Sequence, residues 1–184
     1  MIEVEVKARL NEDEINELIS KLLDMGFKRI EKKEEVDVYF NGIDRDFSVT
    51  DEALRVRKSL KMDTGQVKFY VTYKGPKLDN VSKTREEIEV TVDNGAAIHK
   101  IFEKLGFKPV KPIKKLREIY SKDDIEVSID CVDDVGSYVE FEKTVMDVSK
   151  KEDALQSLLD LMKSLNISND KLERKSYLEL RRGN

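Results

Sequence analysis

Charged and apolar residues alternate through nearly every extended segment of this chain, and the sense of the alternation persists from one segment to the next. Between Ile2 and Arg9, the residues Ile2, Val4, Val6 and Ala8 fall on one side and Glu3, Glu5, Lys7 and Arg9 on the other. A period of two marks a β-strand with unlike faces. The same parity unites Arg55 with Arg57, Lys68 with Lys74, Arg85 with Glu87 and Glu89, Lys115 with Arg117, Glu126 with Asp130, and Glu140 with Glu142. Opposite them stand Leu54 and Val56, Val67, Phe69 and Val71, Ile88 and Val90, Ile125, Val127 and Ile129, and Val139 and Phe141. A sheet of this kind offers one apolar face to a layer of helices and gathers charge on the other.

Strands are expected at 2–9 and near 36–41, 53–60, 66–74, 85–92, 114–121, 124–131 and 137–143. Asn11 or Asp13 can cap a helix that Gly26 stops, and a second helix runs from about Gly95 to Leu105, ending at Gly106-Phe107. Gly75-Pro76 opens a polar connection over 75–83. An amphipathic helix carries Leu155, Leu158, Leu159, Met162 and Leu165 on one face, read as core packing with dimer contact as the secondary reading, and a short helix is expected at 170–181. The segment MGFKRIEKKEEVDVYF from Met25 parallels LGFKPVKPIKKLREIY from Leu105. This internal repeat predicts two β-α-β halves, about 1–83 and 84–148, within one domain over 1–184, with C-terminal helices at about 149–184. Short connections and strict alternation favour an antiparallel α+β fold, and eight such strands can curl into a closed β-barrel with helices packed outside. Alternation alone describes an open α+β sheet with one wet face equally well.

Composition narrows the chemistry. The chain has 34 Lys and Arg against 38 Asp and Glu, a net charge of −4. No apolar run reaches the roughly 18–20 residues needed to span a bilayer, so no membrane segment is expected, and the N-terminus begins on a strand rather than a leader. A cytoplasmic location follows as an expectation, consistent with one cysteine, Cys131, which allows no internal disulfide and is read as a small core residue. The abundance of Lys and Glu hints at heat adaptation. One histidine, His99, read as an exposed helix residue, leaves no Ser-His-Asp or Cys-His set, so carboxylates, Lys, Arg and Tyr are the reactive groups and catalysis calls for a metal. A pI near 5.3 with no basic tail argues against an extended nucleic-acid surface.

If the charged face lines a cavity, like charges packed side by side require compensation by a ligand or ions. A polyanion with a divalent metal satisfies both signs: Lys and Arg grip phosphate oxygens, and carboxylates hold Mg²⁺ or Mn²⁺, hard ions that prefer oxygen. The alternative is a solvated face laced with cross-strand salt bridges.

Glu3-Val4-Glu5-Val6-Lys7 resembles the N-terminal E-x-E-x-K signature of the CYTH family, the triphosphate tunnel metalloenzymes, which include class IV adenylyl cyclases and thiamine triphosphatases. The resemblance extends through Leu54-Arg55-Val56-Arg57, Thr72-Tyr73-Lys74-Gly75-Pro76, Arg85-Glu86-Glu87-Ile88-Glu89, Lys115-Leu116-Arg117-Glu118-Ile119-Tyr120, and Ile129-Asp130 followed by Gly136 to Glu142. Ser176-Tyr177-Leu178-Glu179-Leu180 looks like the ending of the bacterial and archaeal class IV cyclase branch. The resemblance implies an eight-stranded antiparallel tunnel open at both ends. It implies metal binding by Glu3, Glu5 and Glu142, with Glu140 and Asp130 supporting or holding a second ion. It assigns Lys7, Arg55, Arg57, Lys74, Arg85, Lys115 and Arg117 to the phosphates and Glu87 and Glu89 to support, with Glu3, Glu5, Lys7 and Glu142 as the catalytic set. Lys68 shares the parity but lies outside the motif. Tyr39 and Tyr120 are read either as mouth residues or as core aromatics. ATP cyclisation is the leading activity, triphosphate hydrolysis the alternative, and a non-catalytic nucleotide- or polyphosphate-binding module the third reading.

Overall fold

The computed structural model describes residues 2–78 and 82–182. Residues 79–81 of the polar connection, and the first and last two positions of the expected domain, lie outside the described residues.

Strand β1, Ile2–Arg9, leads into helix α1, Glu12–Asp24, which starts in a capping box. The Asn11 side chain accepts from the Glu14 N–H, and the Glu14 carboxylate accepts from the Asn11 N–H, both at 2.9 Å, satisfying two donors that the first turn leaves unpaired. Gly26 and Gly106, eighty residues apart, both take positive φ at the C-terminal ends of helices, which only glycine adopts without penalty. Strands β2 (Lys28–Asn41), β3 (Ala53–Lys61), β4 (Val67–Lys74) and β5 (Arg85–Val92) follow, then α2 (Gly95–Leu105) and a two-residue β6 (Lys108–Pro109). Strands β7 (Ile113–Lys122), β8 (Ile125–Val132) and β9 (Gly136–Val145) precede α3 (Lys151–Ser164) and the terminal α4 (Tyr177–Arg182).

All strand pairs are antiparallel, in the order β3-β4-β5-β1-β9-β8-β7-β2, and β2 pairs back onto β3 to close an eight-stranded barrel. The helices pack outside it. Closure removes the ambiguity between barrel and open sheet, and it turns the charged parity inward. β2 is longer than the 36–41 segment expected from alternation. Its first half, Lys28–Glu35, is almost wholly charged and pairs with β7 around an irregularity between Arg29 and Glu31.

The main core lies between the β1-β9-β8 wall and helices α1 and α3. Val4, Val6, Val127, Val139 and Phe141 meet Leu18, Leu22, Leu158 and Met162 there, all essentially buried. Tyr120 belongs to this core, whereas Tyr39 faces the interior cavity. The helix layer is narrower than the apolar stripes suggest. Ile88 and Val90, on the outer face of β5, stay 56% and 54% exposed because neither α1 nor α3 reaches that wall.

Three expectations change. Cys131 is exposed rather than a core residue, since Val127 and Ile129 occupy the covered stretch of β8 and the helices stop short of its end. His99 is half-buried, its ring edge-on to Phe40 at a centroid distance of 5.0 Å. The terminal helix is shorter than 170–181: residues 169–171 make one tight 3-10 turn, an irregular stretch follows, and α4 begins only at Tyr177. Among the described residues, no helix is long and apolar enough to cross a membrane.

Candidate active site

The inward side chains meet around a cavity of about 270 Å³. Two charge regimes divide it. Toward one side stand Glu3 and Glu5 of β1, Glu142 of β9, Glu126 of β8 and Glu87 of β5. Register makes the crowding unavoidable, because Glu142 lies opposite Glu5 on one neighbouring strand and opposite Glu126 on the other. Burial, with Glu3, Glu5 and Glu126 close by, pushes the Glu142 carboxyl up to about 9. Burial and the neighbouring Glu140 push Glu5 up to about 7, and burial raises Glu3 as well, against the pull of Lys74.

The other regime is built from guanidinium and ammonium groups held by buried acids. Arg57 makes a bidentate pair with Asp37 at 2.6 and 2.7 Å and reaches Glu35 at 3.1 Å. Arg117 pairs with Asp130 in the same way, at 2.6 and 2.5 Å, and also donates to Glu140. Lys115 stands between Glu35 at 3.2 Å and Asp130 at 3.5 Å. Burial works against the charged form of Glu35 and Asp37, but Arg57 leads the cations that hold both below the usual carboxylate range. On the wall between the regimes, Arg55 donates to Thr72 at 2.9 Å and Glu89 at 3.2 Å, and Lys74 reaches Glu87 at 2.6 Å and Glu3 at 3.4 Å. Arg85 lines the cavity near Asp51, with carboxylate contact at 3.9 Å.

One end is capped by the C-terminal segment. The Glu173 N–H donates to the Lys7 carbonyl at 2.7 Å, and Arg181 donates to the Lys111 and Pro112 carbonyls, tying the segment to both ends of the mouth. Between these ties, Tyr177 enters the barrel, donates its hydroxyl to Asp130 at 2.7 Å and lays its ring under Lys7 at 4.2 Å and Lys115 at 5.3 Å.

Of the residues singled out from sequence, Glu3, Glu5, Arg55, Arg57, Lys74, Arg85, Glu87, Glu89, Lys115, Arg117, Glu140 and Glu142 line this one cavity. Lys7 and Asp130 do not. The Lys7 ammonium is buried against the Tyr177 ring and donates to the Lys175 carbonyl, and burial followed by repulsion from Lys83 lowers it to about 7. Asp130 is wholly buried beneath Arg117 and Tyr177. Lys68, at the far end of β4, is exposed and not part of the lining.

Sequence reasoning missed Lys33, Asp37 and Lys83 in the lining, Glu35 behind it, and the insertion of Tyr177. Lys33, Glu35 and Asp37 of β2 share the parity of Tyr39; Asp37 already lay within the expected strand, and Lys33 and Glu35 were readable had that strand been extended upstream of Val36. Lys83 lies in an irregular connection that has no periodicity to read.

The donor set suits a divalent hard ion. Its centre is the carboxylates of Glu3, Glu5 and Glu142, buried and crowded enough to resist ionisation, with basic groups on the adjoining walls suited to a polyanion. Among the described residues, no three acidic or imidazole groups already converge as a cage, and the ammonium of Lys83 sits between Glu5 and Glu140 instead.

The CYTH domain family matches residues 1–177 of this chain. Protein MJ0240 of Methanocaldococcus jannaschii, which carries a provisional adenylate cyclase name, is 52% identical over 181 residues, 98% of this chain and 99% of that protein. Adenylate cyclase CyaB of Aeromonas hydrophila is 27% identical over 151 residues, 82% of this chain and 74% of that one. The solved structure of PH1819 from Pyrococcus horikoshii superposes with a TM-score of 0.87 at 34% identity, covering 97% of each chain. A closed barrel with a charged interior, matched along nearly its whole length, makes this chain a member of the CYTH family of triphosphate tunnel metalloenzymes.

Proposed function

We propose that this protein is a class IV adenylyl cyclase, converting ATP to cyclic AMP and pyrophosphate in a reaction that depends on Mg²⁺ or Mn²⁺. The observation that carries the triphosphate chemistry is the opposition, inside one enclosed cavity, of a carboxylate cluster to a set of guanidinium and ammonium groups. A phosphate-binding module needs the second set and gains nothing from the first, whereas a metal-dependent enzyme uses both. The names of MJ0240 and CyaB support cyclisation as the reaction.

Glu3, Glu5 and Glu142 would hold the ion, with Glu140 beside them. Bound there, it supplies charge neutralisation at the phosphates and lowers the cost of ionising the attacking hydroxyl. Arg55, Arg57, Lys74, Lys115 and Arg117 face the cavity with donors suited to the phosphate chain, and Arg85 extends this set toward Asp51. Both oxygens of Asp130 are engaged by Arg117, so Asp130 acts as a positioning residue for that guanidinium, as Asp37 does for Arg57. Lys7, pinned under Tyr177, joins β1 to the C-terminal segment. In the reaction the 3′-hydroxyl oxygen loses its proton and bonds to the α-phosphorus. The bond from that phosphorus to the bridging oxygen breaks, and pyrophosphate leaves with the electron pair. Fixed donors on several walls hold the chain in line for this displacement.

Product analysis tests the reading. Purified protein is incubated separately with ATP and with tripolyphosphate, with Mg²⁺ or Mn²⁺, and the expected result is cyclic AMP with stoichiometric pyrophosphate. Orthophosphate without cyclic nucleotide would replace the cyclase by a triphosphatase, and metal-dependent binding without either product would leave a binding module.

A further inference from the structure

We infer that Lys83 is a built-in counter-ion of the metal site: its ammonium occupies the Glu5–Glu140 position in the substrate-free protein and transfers to a phosphate oxygen when the metal–triphosphate complex enters. This rests on the metal-triphosphate reading above and goes beyond it by naming a group that competes with the metal.

The geometry comes from an unusual delivery. Lys83 does not belong to a barrel strand but to the connection between β4 and β5, and its own backbone N–H donates to the Glu5 carbonyl at 3.0 Å. That bond fixes the residue over β1, and the side chain then turns inward to bond the Glu5 carboxylate and reach Glu140 at 3.0 Å. Ser82 and Thr84 on either side are buried, so the backbone that carries Lys83 is packed against the barrel rather than solvated. The ammonium is part of the cavity lining.

Glu5 is common to two claims. A divalent ion that uses its carboxylate would stand within a few ångströms of the Lys83 ammonium, and two cations cannot share that space without strong repulsion. An incoming triphosphate resolves the conflict, because it offers oxygens to the displaced ammonium while the ion takes Glu5. Metal without triphosphate has to displace the lysine with nothing to receive it. The consequence is coupling: triphosphate and metal favour each other's binding, and Lys83 carries part of that coupling.

The test measures Mn²⁺ binding to the intact protein by the loss of free-ion electron paramagnetic resonance signal without tripolyphosphate, and by Mn²⁺ retained with the protein in equilibrium dialysis against matched Mn²⁺–tripolyphosphate solution, alongside thermal unfolding to establish that each variant is folded. In Lys83→Gln, Mn²⁺ alone is expected to bind at least about tenfold tighter than in wild type, while the gain in Mn²⁺ affinity on adding tripolyphosphate shrinks. Lys83→Arg, which keeps the charge, should stay near wild type and guards against a variant that misfolds. Adding Glu5→Gln to Lys83→Gln should cancel the gain. Unchanged or weaker Mn²⁺ affinity in a folded Lys83→Gln would overturn the role of Lys83 while leaving the metal site standing. Absence of Mn²⁺ binding in wild type and variants alike would overturn both.

Discussion

Asp37 and Arg57 face each other directly across β2 and β3 and lock into a two-point pair, Nε to Oδ1 at 2.6 Å and Nη2 to Oδ2 at 2.7 Å, with both side chains buried. Asp37 thereby fixes the plane of a guanidinium that lines the cavity. Removing the acid would leave Arg57 charged, buried and short of acceptors. Asp37→Ala should therefore lower unfolding free energy by about 3–5 kcal/mol, read from urea denaturation.

The same residue predicts an acid-side dependence. Burial opposes the charged carboxyl, but Arg57 and Arg55 more than offset it, so the folded value lies below the 3.8 of the unfolded chain. The sign follows: the stabilisation is complete above the unfolded value and is lost as pH falls through the folded one. Between about pH 7 and about pH 3, wild type should lose more stability than Asp37→Asn, whose side chain does not titrate. Equal slopes in the two proteins would contradict the assignment.

Glu142 carries the opposite sign. It lies between Glu5 and Glu126 with like charge on both sides, a placement that destabilises the sheet unless an ion intervenes. Its carboxyl is raised to about 9, so ionisation costs folding stability as pH rises from the unfolded value toward that one. Glu142→Gln should melt a few degrees higher than wild type near pH 8 without metal, by roughly 2–4 °C per kcal/mol relieved. The same variant should lose metal-dependent turnover by about tenfold or more. A variant that is both less stable and fully active would remove Glu142 from the metal site.

Tyr177→Phe deletes only the hydroxyl that Asp130 accepts at 2.7 Å. A buried bond to a charged acceptor contributes about 1.5–3 kcal/mol, and the loss should appear as a lower melting temperature. Faster hydrogen exchange in 172–180 is expected too, because Tyr177 anchors this segment inside the barrel.

Gly95 opens α2 against the ring of Phe69, where an added Cβ would stand 2.4 Å from a ring carbon. Gly95→Ala should destabilise by about 1–3 kcal/mol, since backbone or ring must shift. Gly65→Ala, with no atom within 4 Å but φ of +69°, probes backbone strain alone and provides the comparison.

The parity of charge along β1, β3, β5, β7 and β9 carried much of what the structure later placed around the cavity, because a strand's side-chain period is local and survives in any sheet. Lys33 escaped for a related reason: the charged first half of β2 offers no apolar partner to mark its alternation, whereas Asp37 lay within the expected strand, flanked by Val36 and Val38, and its shared parity with Tyr39 went unread. Lys7 and Asp130 have the right parity yet do not line the cavity, since inward direction along a strand does not say what will cover its end. Tyr177 and the irregular stretch before α4 supply that cover, and their place depends on a contact with Asp130 forty-seven residues away in sequence.

From the sequence alone came the period-two strands, a helix cap at Asn11 or Asp13, the two helix-ending glycines and the choice of hard oxygen ligands and cationic phosphate partners. Each depends on backbone geometry or side-chain chemistry within a few residues. Only the tertiary structure decided that β2 closes onto β3, that Glu142 faces two other acids, that Lys83 reaches Glu5, and that Tyr177 stops one end of the barrel. These are matters of register and closure between distant segments, where a shift of one residue would turn every charge outward.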